Sequence, residues 1–151
     1  MSLEQEVELI RQFPIFSKIQ PAMQKLLCFS ADRLTYAAGQ VIFNAGDVGD
    51  SAYVIIEGTV EISVPTPSGP IVINEMGRND LLGEIAIVGE VPRTATAKAI
   101  TKLETLKISK ELFMKIIHEN PDAATELIKI LAARLASTTS QLSRTRSDGA
   151  R

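Results

Sequence analysis

The residues from Gly83 to Ala97, GEIAIVGEVPRTATA, set the carboxylate of Glu84 and the guanidinium of Arg93 among small and aliphatic side chains. A carboxylate only accepts hydrogen bonds, which suits it to sugar hydroxyls. A guanidinium is a planar fork that matches two phosphate oxygens and stays charged at any working pH. Gly83 admits a backbone turn or a close approach that a side chain blocks. Glu84, Ile85, Ala86 and Ile87 suffice for one helical turn, whose first N–H groups lack internal partners and point at an anion. Pro92 fixes the backbone just before Arg93. Thr94 adds a hydroxyl beside it, and Ala86, Ala95 and Ala97 let backbone and ligand approach closely. These residue types fit a ribose carrying a single phosphate. The competing reading is a surface ion pair of Glu84 and Arg93 across a turn, worth about 0 to 1 kcal/mol, with the alanines packing a core.

Three zones must position this segment. From Leu3 to Phe29 the apolar spacing predicts short helices broken by Pro14 and Pro21, forming a cap over residues 1–29. From Arg33 to Ser109, short β-rich runs alternate with Gly, Asn, Asp and Pro, and six strands are predicted: Gln40 to Asn44, Ala52 to Glu57, Thr59 to Val64, Pro70 to Glu75, Thr94 to Ile100 and Leu103 to Ser109. Many short strands mean a sandwich or barrel, so the class is mainly β with flanking helices, its core at 30–109. Ser109 then caps a short helix through His118, and Asn120 and Pro121 read as the cap and first residue of a longer one. Along it Ala124, Ile128, Leu131, Leu135, Thr138 and Leu142 follow the alternating fours and threes of a coiled-coil seam. A helix over 121–142 is roughly 33 Å long, and it meets either a partner helix or its own barrel. Residues 110–143 thus form C-terminal helices and 144–151 a frayed, disordered tail, all within one domain.

Composition excludes several classes. With 151 residues, 45% hydrophobic and 23% charged, the chain suits one soluble domain with a real core. A net charge of −2 lacks the basic balance of a nucleic-acid binder, so no direct DNA contact is expected. The single Cys28 forms no internal disulfide, and no apolar run approaches the roughly 18 residues of a membrane helix. Glu4, Glu6 and Glu8 occupy the place of a secretory signal's basic start and apolar core, which points to the cytoplasm. Cys28 reads as a small buried apolar residue and His118 as a helix-surface one. No metal cluster or catalytic grouping stands out.

The segment from Leu82 onward resembles the phosphate-binding cassette of the cyclic-nucleotide-binding domain, found in bacterial catabolite activators, regulatory subunits of cyclic-nucleotide-dependent kinases and cyclic-nucleotide-gated channels. That cassette reads roughly F-G-E-aliphatic-A-aliphatic, a short insert, then P-R-small-A-[Ser/Thr]. Gly83, Glu84, Ile85, Ala86 and Ile87 match its first half, and Pro92, Arg93, Thr94, Ala95 and Thr96 its second; Leu82 replaces the usual Phe. The stretch from Gly46 to Gly58 is similar to the family's turn, strand and turn, and the resemblance spans Phe13 to Leu142. It implies an eight-stranded jelly roll (double-stranded β-helix) with the cassette at 82–97. It further implies that Glu84 binds the ribose 2′-hydroxyl, Arg93 the cyclic phosphate, and the N–H groups of Ile85, Ala86 and Thr94 or Ala95 the remaining oxygens. In catabolite activators a long C-terminal helix closes over the nucleotide and meets its twofold mate. Aligned on that helix, Thr138 and Thr139 take base-contacting positions and Arg134 reaches the site.

The resemblance therefore implies a sensor or regulatory module for cyclic AMP or cyclic GMP, without cofactor or catalysis, that signals through its C-terminal helix to an effector protein and forms a homodimer through residues 121–142. Thr94 can serve a syn guanine or only the phosphate. The paired hydroxyls of Thr138 and Thr139 resemble an adenine-reading arrangement. Too few residues follow Leu142 for the helix-turn-helix of transcriptional members, which implies a free-standing sensor or one domain of a larger protein. The other class of reading is a degenerate jelly-roll scaffold that binds protein without nucleotide; intact Glu84 and Arg93 speak against it. A phosphodiesterase lacks a metal cluster and a base near the cassette.

Overall fold

The computed structural model describes residues 2–149, with side chains through Ser137. Three short helices come first: α1 (Leu3–Arg11), α2 (Pro14–Ser17) and α3 (Pro21–Ser30). Ser2 and Gln5 cap α1 reciprocally. Each proline that ends one helix opens the next, where its missing N–H leaves no bond unmade.

Eight strands follow: β1 (Asp32–Tyr36), β2 (Val41–Phe43), β3 (Ser51–Glu57), β4 (Val60–Val64), β5 (Ile71–Met76), β6 (Leu81–Leu82), β7 (Thr96–Ala99) and β8 (Leu103–Ser109). They form two antiparallel four-stranded sheets, ordered β1-β8-β3-β6 and β2-β7-β4-β5. The helix α4 (Glu84–Val88) interrupts the chain between β6 and β7. This is the jelly roll that the resemblance implies. β1 and β6 stand outside the six strands read from sequence. β1 lies at a sheet edge, half-exposed and without apolar alternation, and β6 is two residues long.

The run SAYVIIE is apolar almost throughout because β3 is covered on both faces. Its odd-numbered Tyr53 and Ile55 pack between the sheets with Val60, Leu82, Ala97 and Leu103. Its even-numbered Ala52, Val54 and Ile56 join the helical layer of Phe13, Phe16, Leu27, Phe113 and Ile116. Burial of this kind on both faces turns strand alternation into a continuous apolar stretch.

Ser109 caps α5 (Lys110–Glu119) by accepting the Leu112 N–H at 3.2 Å. Asn120 stands where the sequence predicts a cap, with a different partner set. Its side-chain amide donates to the Ile116 carbonyl at 2.9 Å and accepts the Gln20 N–H at 3.3 Å, so it ties α5 to the turn before α3. Its backbone carbonyl begins α6 (Pro121–Gly149).

That helix runs past Ser143, where the sequence predicts a tail from 144. No Pro or Gly lies between Pro121 and Gly149 to stop it. The expected seam divides between two faces. Leu131 of that seam packs against the helical layer beside Ala123 and Leu127, which lie outside the expected seam and are buried, whereas Ile128 is 66% exposed and Leu135 69% exposed. The helix thus rests on its own domain along one stripe and shows apolar side chains to solvent on another.

Candidate functional site

β6 pairs with β3, Tyr53 opposite Leu82 and Val54 opposite Leu81, and so fixes where Gly83 leaves the sheet. Gly83 has φ +79°, a left-handed conformation that favours glycine. A Cβ there would lie 2.4 Å from Nη1 of Arg93. The turn therefore needs glycine for both conformation and space. No side chain caps α4, whose first N–H groups lack intrahelical partners. Ala86 packs directly on Gly49, whose own Cβ would fall 2.3 Å from the Ala86 methyl. After α4 the chain is stitched to the β2–β3 loop: the Arg93 N–H donates to the Asp47 carbonyl at 2.8 Å, and the Gly46 N–H donates to the Arg93 carbonyl at 2.8 Å.

Arg93 is only 4% exposed. Nη1 donates to the Gly83 carbonyl at 2.8 Å and Nη2 to the Ser51 carbonyl at 2.7 Å. The guanidinium carbon sits 4.2 Å from the Phe43 ring centroid and 6.0 Å from that of Tyr53. Among the described residues no carboxylate forms an ion pair with it, and Nε has no protein partner. Burial pulls its pKa below the ordinary arginine value, opposed by the fields of Tyr53, Asp50, Asp47 and Glu84. Carbonyl dipoles and ring faces thus hold a buried cation.

Glu84 is 1% exposed. Its Oε1 pairs with Nη1 of Arg134, reaching down from α6, while Arg134 Nη2 donates to the Leu81 carbonyl. Its Oε2 has no protein partner. Gly83, Glu84, Ile85, Ala86, Arg93, Thr94, Ala95 and Arg134 all line one cavity of about 140 Å³. An acceptor-only group and a cation, each with a buried polar atom unpartnered, suit a ligand that brings hydroxyls and an anion together.

The structure thus gathers every candidate from the cassette, with Arg134, around one space. Thr138 and Thr139 lie outside the residues whose side chains are described. Reasoning from sequence missed the apolar and polar wall from the second sheet: Phe43, Ile62, Ile73, Asn74 and Met76. The period-two pattern of β4 and β5 marks Ile62, Asn74 and Met76 as sharing a face with their neighbours at two-residue spacing, although not which face.

Elsewhere, Cys28 is half-buried against the helical layer, and burial, followed by the Glu6 carboxylate, raises its thiol pKa. His118 is exposed on α5. Among the described residues no group of His, Cys, Asp and Glu could hold a metal ion, and no helix is long and apolar enough to cross a membrane.

The profile of the cyclic nucleotide-binding domain matches residues 33–120, and the chain belongs to that family. It is 29% identical over 136 residues to a CRP-like cAMP-activated global transcriptional regulator of Mycobacterium tuberculosis, covering 89% of this chain and 61% of that protein. The chain thus spans somewhat under two thirds of that relative's length. Among solved structures it is similar to the catabolite activator protein of Thermus thermophilus, with 28% identity and TM-score 0.74 over 88% of this chain and 63% of that one. The sensor domain of the transcriptional regulator DNR from Pseudomonas aeruginosa shares the fold, with TM-score 0.79 and 21% identity over 91% and 93% of the two chains.

The fit of Gly83 against Arg93 is testable by substitution. Gly83→Ala meets both a positive φ and the guanidinium, whereas Gly39→Ala meets a positive φ with nothing within 4 Å. A left-handed non-glycine residue alone costs about 1–2 kcal/mol. Denaturant unfolding is expected to show Gly83→Ala losing at least about 1 kcal/mol more than Gly39→Ala. Equal losses would contradict the packing described.

Proposed function

We propose that the protein is a cyclic AMP sensor whose ligand lies between Arg93 and Glu84. The observation that carries this reading is the pair of buried, unpartnered polar atoms, Arg93 Nε and Glu84 Oε2, on residues lining one cavity. The cyclic phosphate, a monoanion, neutralises Arg93. The ribose 2′-hydroxyl donates to Glu84. The N–H groups of Ile85 and Ala86, with those of Thr94 or Ala95, take the remaining oxygens. The similarity to a regulator named as cAMP-activated favours the adenine nucleotide over cyclic GMP.

Arg134 connects this site to α6, because it shares Glu84 with the incoming ribose. Binding that redistributes that pairing shifts α6, to the extent that the nucleotide prefers one arrangement over the other. Occupancy then passes to an effector protein or output module, within the cytoplasm and without turnover of the nucleotide. The exposed Ile128, at coiled-coil spacing from Leu135, supports a twofold contact between the α6 helices of two copies.

Calorimetric titration with cyclic AMP and cyclic GMP tests the ligand. Removing one partner of a buried charged pair costs about 2 kcal/mol or more, so Arg93→Ala is expected to weaken binding roughly 30-fold or beyond. Unchanged affinity in that variant would remove Arg93 from the ligand site, and no heat with either nucleotide would leave the scaffold reading. Sedimentation of the same preparations tests the dimer: Ile128→Lys is expected to shift it to monomer, and a wild-type monomer at micromolar concentration would refute the contact.

A further inference from the structure

Phe43 reaches the cavity through an irregularity in its strand. β2 pairs with β7 so that Val41, which is exposed, lies opposite Lys98. Regular antiparallel pairing sets Phe43 opposite Thr96, on the same outer face as Val41. A register shift between Val41 and Phe43 sets it opposite Ala97 instead, and Ala97 is buried between the sheets. One extra residue in the strand thus turns the ring inward. There it packs with Tyr53, the two ring centroids 5.9 Å apart, and lines the cavity beside Ala95.

An aliphatic side chain fills such a place as well, and the ring adds a negative face. Its centroid lies 4.2 Å from Cζ of Arg93. An aromatic face attracts a cation, most strongly where water is excluded, and Arg93 is almost fully buried. A carboxylate in the same place also stabilises the charge, but it takes N–H donors and neutralises the cation. A ring face does neither. Nη1 and Nη2 each donate to a backbone carbonyl, of Gly83 and Ser51, and the Nε donor stays free of protein partners.

We infer that Phe43 is a positioning residue for the anion: its ring face holds the Arg93 guanidinium in the buried site without consuming an N–H or cancelling its charge. Without the ring the buried charge is less well compensated. It then turns toward water or draws water into the cavity, and the anion has to reverse that step in order to bind. A ring that acts only as an apolar wall matters equally to ligands with and without phosphate. This inference rests on the nucleotide reading above, because the anion is the cyclic phosphate.

The test compares wild type, Phe43→Leu and a series in which the ring of residue 43 carries one, two or three fluorines, each checked by thermal melting. All are titrated with cyclic AMP and with adenosine. Leucine keeps an apolar side chain without a ring, and fluorine withdraws electron density from the ring face with little change in size. Phe43→Leu is expected to lose about five- to thirtyfold in cyclic AMP affinity. The fluorinated series is expected to lose it stepwise, while adenosine binds every variant alike. Cyclic AMP affinity that is unchanged or raised, or that falls by the same factor as adenosine affinity, overturns the role of Phe43 and leaves the nucleotide reading standing. If adenosine gives no heat, the fluorinated series decides alone, and a flat series overturns the role. A wild-type protein that binds no cyclic AMP overturns the nucleotide reading and this inference with it.

Discussion

A guanidinium held almost out of water organises this molecule. Removing a charge from water costs several kcal/mol unless neighbouring groups replace the solvent. Arg93 has two backbone carbonyls, two aromatic faces and no carboxylate in contact among the described residues. Each of those groups requires its own support. The Ser51 carbonyl comes from the start of β3, the strand buried on both faces. The Gly83 carbonyl comes from a left-handed turn that only the β6 pairing positions. Phe43 comes from β2, and the β2–β3 loop clamps the Arg93 backbone. Sheet order, turn chemistry and loop register therefore converge on one charged side chain that forms no ion pair among the described residues.

Glu84 is the second pole, and its surroundings differ. It has an ion-pair partner, and that partner comes from α6. The carboxylate is thus shared between the barrel and the helix that leaves it. Under the proposed function, sugar hydroxyls compete for the same oxygens, which makes the seating of α6 sensitive to ligand. The helix is otherwise held by Ala123, Leu127 and Leu131, by the Lys18–Glu126 pair, and through Asn120 at its start. Its attachment to the N-terminal helices is therefore mainly apolar, with one ion pair, and near its beginning, whereas its attachment to the pocket is ionic and one residue wide.

Much of this was legible in the sequence where local chemistry fixes local structure. Gly83, Glu84 and Arg93 announce themselves because few other roles require glycine, a carboxylate and an arginine at that spacing. Ser109 reads as a cap and is one. β1 was illegible because an edge strand needs no apolar alternation, and β6 because two residues carry no periodicity. The Phe43, Ile62 and Asn74 wall was illegible for another reason: it depends on which sheets face each other and on a bulge that no local signal marks. α6 shows both limits. Its helical character follows from the absence of breakers, yet the division of its apolar residues between an inward and an outward stripe is decided by the domain against which it packs.

The most direct test compares two ligands that differ only in the anion. Calorimetric titration with cyclic AMP and with adenosine keeps the base and the sugar and removes the phosphate. If the buried charge of Arg93 governs the site, cyclic AMP binds and adenosine binds at least about 30-fold more weakly, since a charge-assisted contact in a buried site is worth about 2 kcal/mol or more. Similar affinities for the two would contradict it, and would mean that the buried guanidinium serves the fold and not the ligand.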